Sequence, residues 1–375
     1  MSKSLAAAHL PLPKGHLWED RYLTLDAWRG LAALGVVVYH LDINAGFDLG
    51  HASVMVFFVI SGYCISASAE SCRRNRVGAL GYMWRRLRRI YPPYFFSICY
   101  FVLTRIWKAR EGMGDQISRS TLAWIQNLTL TQWLSLIRHP TTSAFENQSL
   151  FIAGYWSLNY EEQFYIVIGL LLLAASYFSQ ELMPFILMLM VPAFVWNVLH
   201  PSICYGFFLE YYFSFALGAV VFYRLCRITN SRIGTLIDVS LVCLLLFAIL
   251  KNYARATHFR SVYFEWIIAI AFSIALLSAR RWDARFAASS LGKCLRAFGP
   301  ISYSLYLTQQ CNLRASQMVA NRLVRWGFPP IVEFPVRLIF ICVVGAVFWY
   351  FCERPFLNKH FAATRTRAVL KPASV

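Results

Sequence analysis

The chain has 375 residues, of which 58% are hydrophobic and only 14% charged, with a positive mean hydropathy. A soluble globular domain carries about 25% charge, so a water-soluble fold of this composition would lack the polar surface to cover itself. The formal net charge of +18 is therefore read as membrane topology and contact with anionic lipid headgroups, not as nucleic-acid binding.

Residues 1–20 are mixed and polar, with Lys3, Lys14, Glu19 and Asp20 and no apolar core of a signal peptide. Beyond them the apolar residues gather in blocks of roughly 17–25 residues, the length that crosses about 30 Å of hydrocarbon. Spans are predicted at 28–43, 51–69, 92–108, 157–178, 183–199, 204–224, 236–251, 262–278, 299–319 and 335–352. A weaker stretch at 121–137 reads as one interfacial helix. The expected fold is an all-α, polytopic membrane helix bundle of about ten transmembrane helices. One membrane domain covers 21–358, between a polar tail (1–20) and a basic tail (359–375).

Basic residues orient this bundle. Arg73, Arg74, Arg76 and four further arginines at 85–89 lie between spans two and three. Arg224, Arg227 and Arg232 follow span six, and Arg280, Arg281, Arg285, Lys293 and Arg296 follow span eight. The segment 41–50 has two aspartates and no Lys or Arg. Both termini are thus expected in the cytoplasm, although basic residues at 105–119 and 251–260 dilute the bias. The ten cysteines are scattered, mostly within apolar blocks, and read as small hydrophobes, not as a metal or disulfide framework.

Four stretches carry chemistry. In the first span, eleven positions separate Arg29 from His40. At 100° per residue that is about 1100°, three turns plus about 20°, so both project from one helix face with a rise of about 16 Å. Asp26, one turn before Arg29, is placed to hold the guanidinium. An ionisable residue on the bundle side of a span is a functional candidate, against the simpler reading of an interfacial histidine packed on a neighbour. The second stretch runs from His51 through Phe57-Phe58 to Ser61-Gly62. A small pair in mid-span marks close helix packing, or leaves room for a substrate.

The third stretch holds Arg85, Arg86, Arg88, Arg89 and Tyr91 against Pro92-Pro93. Positive-inside topology accounts for some of these arginines. Their density also suits phosphate binding, since a guanidinium grips phosphate through two parallel bonds. Coenzyme A presents a pyrophosphate and a 3′-phosphate. The fourth stretch, Trp156 to Tyr165, contains Glu161 and Glu162. Adjacent carboxylates on a helix cannot share one partner, so one is expected to pair with an arginine and the other to face water or substrate. Glu353, closing span ten, is expected in an ion pair with Arg354 or a loop arginine.

Taken in order, these blocks resemble the acyltransferase-3 family of bacterial membrane acyltransferases. The matching pieces are Arg29-x10-His40, Phe57-Phe58-x-x-Ser61-Gly62, the stretch from Arg86 to Pro92, Trp156-Ser-Leu-x-x-Glu161-Glu162, and Ile301-Ser-Tyr303-Ser-Leu-Tyr306-Leu. The resemblance implies ten-span proteins of the bacterial inner membrane that O-acylate surface polysaccharides, O-antigen, nodulation factors or macrolides. It implies acyl-CoA as co-substrate, acetyl being the common donor, with no tightly bound cofactor and no metal. Many relatives carry histidine where this chain has Gln309, which can hydrogen-bond but cannot shuttle a proton. Some relatives also carry a fused periplasmic hydrolase-like domain, and none is expected here. The HxxxD-like stretch from His16 to Asp20 is read as chance.

The candidate site comprises His40, Glu161 and Glu162 as catalytic residues. Arg29, Arg85, Arg86, Arg88, Arg89 and Tyr91 hold the donor, and Asp26, Ser61, Trp156 and Tyr303 position substrate. His40 either deprotonates the acceptor hydroxyl or carries the acyl group briefly. The expected partners are acyl-CoA, a carbohydrate or glycolipid acceptor and membrane lipid. The rival readings are a transporter or flippase, which often shows internal repeats or paired broken helices, and a structural subunit without chemistry.

Overall fold

The computed structural model describes residues 22–41, 48–112, 120–140, 150–200, 204–254 and 261–357. Both expected tails and the stretch from His16 to Asp20 lie outside them. Among the described residues there is no β-strand. The helices in chain order are α1 (Leu25–His40), α2 (Leu49–Arg74), α3 (Gly78–Arg110), α4 (Thr121–Thr129), α5 (Trp133–Arg138), α6 (Trp156–Tyr177) and α7 (Leu182–Leu199). They continue as α8 (Leu209–Cys226), α9 (Ser231–Ala254), α10 (Val262–Ala279), α11 (Asp283–Ala288), α12 (Ser290–Arg325) and α13 (Glu333–Phe348). Ten of the described helices have 16 residues or more and coincide with the ten predicted segments. Six stretches are long and apolar enough to cross a membrane, namely Leu49–Arg74, Ala153–Tyr177, Leu182–Leu199, Ser231–Ala254, Val262–Ala288 and Pro330–Phe356. The molecule is a helical membrane bundle.

Several boundaries moved for physical reasons. The third helix does not begin at Pro92 but at Gly78, and it runs through Pro92 and Pro93 to Arg110. A proline inside a helix removes a backbone bond and costs about 3 kcal/mol, which is why Pro92-Pro93 read as a start. Burial of Ile90, Pro93, Tyr94, Ser97 and Ile98 in the bundle offsets that cost. The arginines at 85–89 therefore sit on a helix, not in a loop. The predicted interfacial helix at 121–137 is two helices, broken at Leu130, whose φ of 53° is left-handed. Helix α8 starts at Leu209, five residues later than predicted at 204, after a turn at Gly206 with φ of +74°. The last helix passes into a π-turn, Trp349–Glu353.

Glycines set two close crossings. A Cβ on Gly62 would stand 1.8 Å from the Phe215 carbonyl oxygen, and one on Gly218 would stand 1.9 Å from that of Val59. Backbones of α2 and α8 thus touch through a reciprocal glycine pair, the small-residue packing that membrane helices use. On the other side, Gly30 of α1 and Gly299 of α12 meet in the same way, at Phe298 and Asp26. The start of α1 is tied down by Asp283 of α11, which accepts from the Leu23 and Thr24 amides (2.7 and 2.9 Å), the Thr24 hydroxyl (2.7 Å) and Arg280 (3.0 Å).

Candidate active site

A cavity of about 1740 Å³ opens among α1, α2, α3, α6, α12 and the π-turn. Each wall contributes polar groups: Asp26 and Arg29, Ser61, the α3 arginines, Glu161, Tyr303 and Glu353. Helical spacing selects among the arginines. Arg85, Arg86 and Arg89 lie at i, i+1 and i+4 on α3 and line the cavity, whereas Arg88 is exposed and outside it. Arg86 is 9% exposed, lies over the Tyr82 and Tyr165 rings at 5.6 and 5.8 Å, and its Nε has no hydrogen-bond partner among the described residues. Arg29 donates to the Cys64 sulfur at 3.9 Å, and Arg85 to the Cys72 sulfur at 3.7 Å.

The arginines fall into two groups. Those that serve architecture are paired with carboxylates. Arg227 donates to Glu70 at 2.7 Å, Arg73 bonds Glu181 and the Gln180 carbonyl, and Arg224 grips Asp238 at 2.9 Å. Glu70, fully buried, also accepts from Tyr223 at 3.1 Å and knots the ends of α2 and α8 together. In contrast, Arg29, Arg86 and Arg89 line the cavity with no carboxylate in salt-bridge reach among the described residues.

The carboxylates of the cavity are held by hydroxyls instead. Glu161 accepts from Ser61 (3.1 Å) and from Tyr165. Glu353 is 2% exposed and accepts from Ser304 at 2.6 Å. Neither expected ion pair, with Arg354 or with a loop arginine, forms among the described residues, because the π-turn rotates Glu353 inward while Arg354 lies over the Trp349 and Tyr350 rings. Tyr303 donates to the Ile90 carbonyl at 3.2 Å, beside the proline pair.

The structure thus gathers Asp26, Arg29, Ser61, Arg85, Arg86, Arg89, Glu161 and Tyr303 around one space. It places His40, Arg88, Tyr91, Trp156 and Glu162 outside that lining. Glu162 accepts from Tyr91 on the other side of α6. Trp156 stacks on His51 with ring centroids 5.5 Å apart, and His51 Nε2 meets Glu265 Oε1 at 2.5 Å. Glu353 was read as an ion-pair residue and not as part of the site, and the buried His51–Glu265 pair, outside the cavity lining, was not read at all. A lone carboxylate within an otherwise apolar helix was the available signal for Glu265.

His40 ends α1 beyond the cavity floor, which is formed by Phe57, Ser157 and Tyr306. Its Nε2 lies 3.0 Å from Gln310 Nε2. Gln310 follows Tyr306 by four residues on α12, so a single helical turn separates the floor from the contact with His40. Gln309, singled out in the sequence, is 1% exposed and faces elsewhere, with neither amide atom hydrogen-bonded among the described residues.

A family model described as an acyltransferase domain, of the acyltransferase-3 family, matches residues 22–353, and the chain belongs to that family. It is 25% identical over 380 aligned positions, covering 93% of this chain and 57% of the other, to a protein of Bacillus subtilis named a putative peptidoglycan O-acetyltransferase, YrhL. It is 32% identical to the O-acetyltransferase OatA of Staphylococcus aureus over 161 residues, 42% of this chain and 26% of that protein. A peptidoglycan O-acetyltransferase of Listeria monocytogenes is 29% identical over 152 residues, 38% of this chain and 23% of the other. The chain therefore spans at most a little over half the length of these relatives. No solved structure matches it.

Proposed function

We propose that this protein is an O-acetyltransferase of the bacterial inner membrane, moving acetyl from acetyl-CoA at the cytoplasmic side to a hydroxyl of a cell-surface glycan. The observation that carries the donor half is the trio Arg29, Arg86 and Arg89, lining the cavity with no carboxylate in salt-bridge contact among the described residues. Buried cations without a contacting counter-ion are costly, and an anionic ligand in direct contact lowers that cost. The pyrophosphate and 3′-phosphate of coenzyme A supply such charge, and guanidinium forks match it. Arg85, with Arg74 and Asn75 of the same lining, extends the cationic wall at the Arg-rich end of the bundle.

In this reading the pantetheine arm runs along the cavity to Ser157 and Tyr306, and the thioester reaches the neighbourhood of His40. His40 then acts as general base on the acceptor hydroxyl or carries the acetyl group transiently. Glu161, held by Ser61 and Tyr165, fixes the electrostatics around Arg29. The glycan acceptor is inferred from the relatives' names, two of which specify peptidoglycan.

The test uses purified protein and acetyl-CoA as the probe. Saturable acetyl-CoA binding that Arg86→Gln weakens, with O-acetyl groups lost from the cell-surface glycan when the protein is deleted, supports the reading. Wild-type acetylation in the deletion strain, or no acetyl-CoA binding, overturns it.

A further inference from the structure

Between the cavity floor and His40 lies a seam of hydrogen bonds whose directions can be worked out from the chemistry of each group. The Tyr306 hydroxyl has one hydrogen, and it goes to the Gly154 carbonyl. Ser157, whose Oγ lies 2.6 Å from the same hydroxyl, must therefore be the donor in that contact. The Gly154 amide can only donate, and its acceptor at 3.1 Å is Gln310 Oε1. That bond settles the orientation of the Gln310 side chain, an assignment that otherwise has to come from the surrounding network. The other end of the amide, Nε2, has only hydrogens to offer, and it faces His40 Nε2 at 3.0 Å. A donor facing a ring nitrogen requires a lone pair there.

We infer that Gln310 is a positioning residue that fixes His40 as the tautomer carrying its proton on Nδ1, with the Nε2 lone pair turned toward α12 and the cavity floor. This rests on the proposed role of His40. Imidazole can take a proton or an acyl group only through a nitrogen with a lone pair, and its two nitrogens are distinguished by what each one bonds. Gln310 holds the reactive lone pair of His40 on the side where Ser157 and Tyr306 close the cavity. The approaching substrate takes the place of the Gln310 amide at Nε2. Gly154 contributes through its backbone alone, since a Cβ added there would stand 3.6 Å from the Gln310 amide atoms without touching it hard.

The experiment has two parts. In protein labelled with 15N-histidine and reconstituted in nanodiscs, the His40 signals are identified by their absence in His40→Gln. Wild type is expected to show a pyridine-type Nε2 and a pyrrole-type Nδ1. Gln310→Glu keeps the acceptor for Gly154 but turns a donor into an acceptor toward His40, so Nε2 is expected to become protonated. Glycan acetylation in cells then falls on the order of 10²-fold or more, the scale of a misplaced proton on a catalytic histidine, while acetyl-CoA affinity stays within about twofold. Gln310→Met removes the donor without adding an acceptor or charge and is expected to lose about tenfold, less than the ~10²–10⁴-fold of a full base contribution because the Nε2 lone pair is still accessible.

A protonated Nε2 in wild type overturns the inference even if no Gln310 variant accumulates in the membrane. So does wild-type acetylation by both Gln310 variants when His40→Ala is inactive, and in that case the role of His40 stands. Normal acetylation by His40→Ala removes the role itself.

Discussion

Helices α7, α9 and α13 and helices α1, α3 and α12 obey opposite rules. In their most apolar stretches only 22%, 17% and 11% of the residues of the first three are buried, yet these helices are among the most hydrophobic in the chain. Their exposed Leu187, Val191, Val242, Leu246, Ile339 and Val343 face what in a soluble protein would be water. The second three are not apolar enough or not long enough to qualify as spans, and they carry Arg29, Arg85, Arg86, Arg89, Tyr303 and Tyr306 of the cavity lining, with His40 beyond it. In lipid the apolar surface goes outward and polar groups gather inside, where they can satisfy one another or a ligand. Hydropathy alone thus misses three of the helices that build the cavity, while α2 and α6 are both apolar spans and part of its wall.

The sharpest way to break that contrast is at its inner side. His40→Ala and Arg29→Ala are each expected to abolish glycan acetylation in cells while the protein still accumulates in the membrane, checked by NMR of the glycan and by immunoblot. Normal acetylation in either variant removes that residue from the site. Next in size, Arg86→Gln and Arg89→Gln should each weaken acetyl-CoA binding by about 10- to 100-fold in calorimetry, since a charge-assisted hydrogen bond contributes about 1.5–3 kcal/mol. Arg88→Gln, outside the cavity lining, is the matched control and should change affinity less than about twofold. Equal effects at Arg86 and Arg88 would mean that the arginines act only through diffuse charge.

Packing gives a smaller effect. Gly62→Ala forces a methyl group against the Phe215 carbonyl. It is expected to cost about 1–3 kcal/mol, read as a lower melting temperature in detergent. On the outer side, Leu246→Ala should alter stability by no more than about 0.5 kcal/mol. A large loss there would show that α9 is covered by protein and not by lipid.

Much of the fold was legible because hydropathy blocks and helix length are local properties. All ten long helices among the described residues fall where the blocks predicted them. What was hidden depends on contacts between distant residues. Pro92-Pro93 looked like a helix start because the packing that holds α3 through it comes from other helices. Once α3 is continuous, its periodicity separates Arg86 and Arg89 from Arg88, a distinction that an unstructured loop does not make. Glu161 and Glu162 do face different partners, but the expected arginine pair does not form among the described residues: hydroxyls of Ser61 and Tyr165 hold Glu161, and that of Tyr91 holds Glu162. Which of them faces the cavity depended on Ser61, one hundred positions earlier. Glu353 enters the cavity only because of the π-turn, and no sequence spacing announces such a turn.

One consequence of α12 reaches beyond any single contact. This rod of 36 residues carries Gly299 at the crossing with α1, Tyr303 in the cavity wall, Ser304 under Glu353, Tyr306 in the floor and Gln310 on His40. It acts as a ruler, with both compartments marked off along one covalent scale. Inserting a single residue between Tyr306 and Gln310 would turn everything beyond it by about 100° and advance it by about 1.5 Å. The donor side would keep its index and the His40 side would lose it, so the register between the two half-sites is fixed by the count of residues between them.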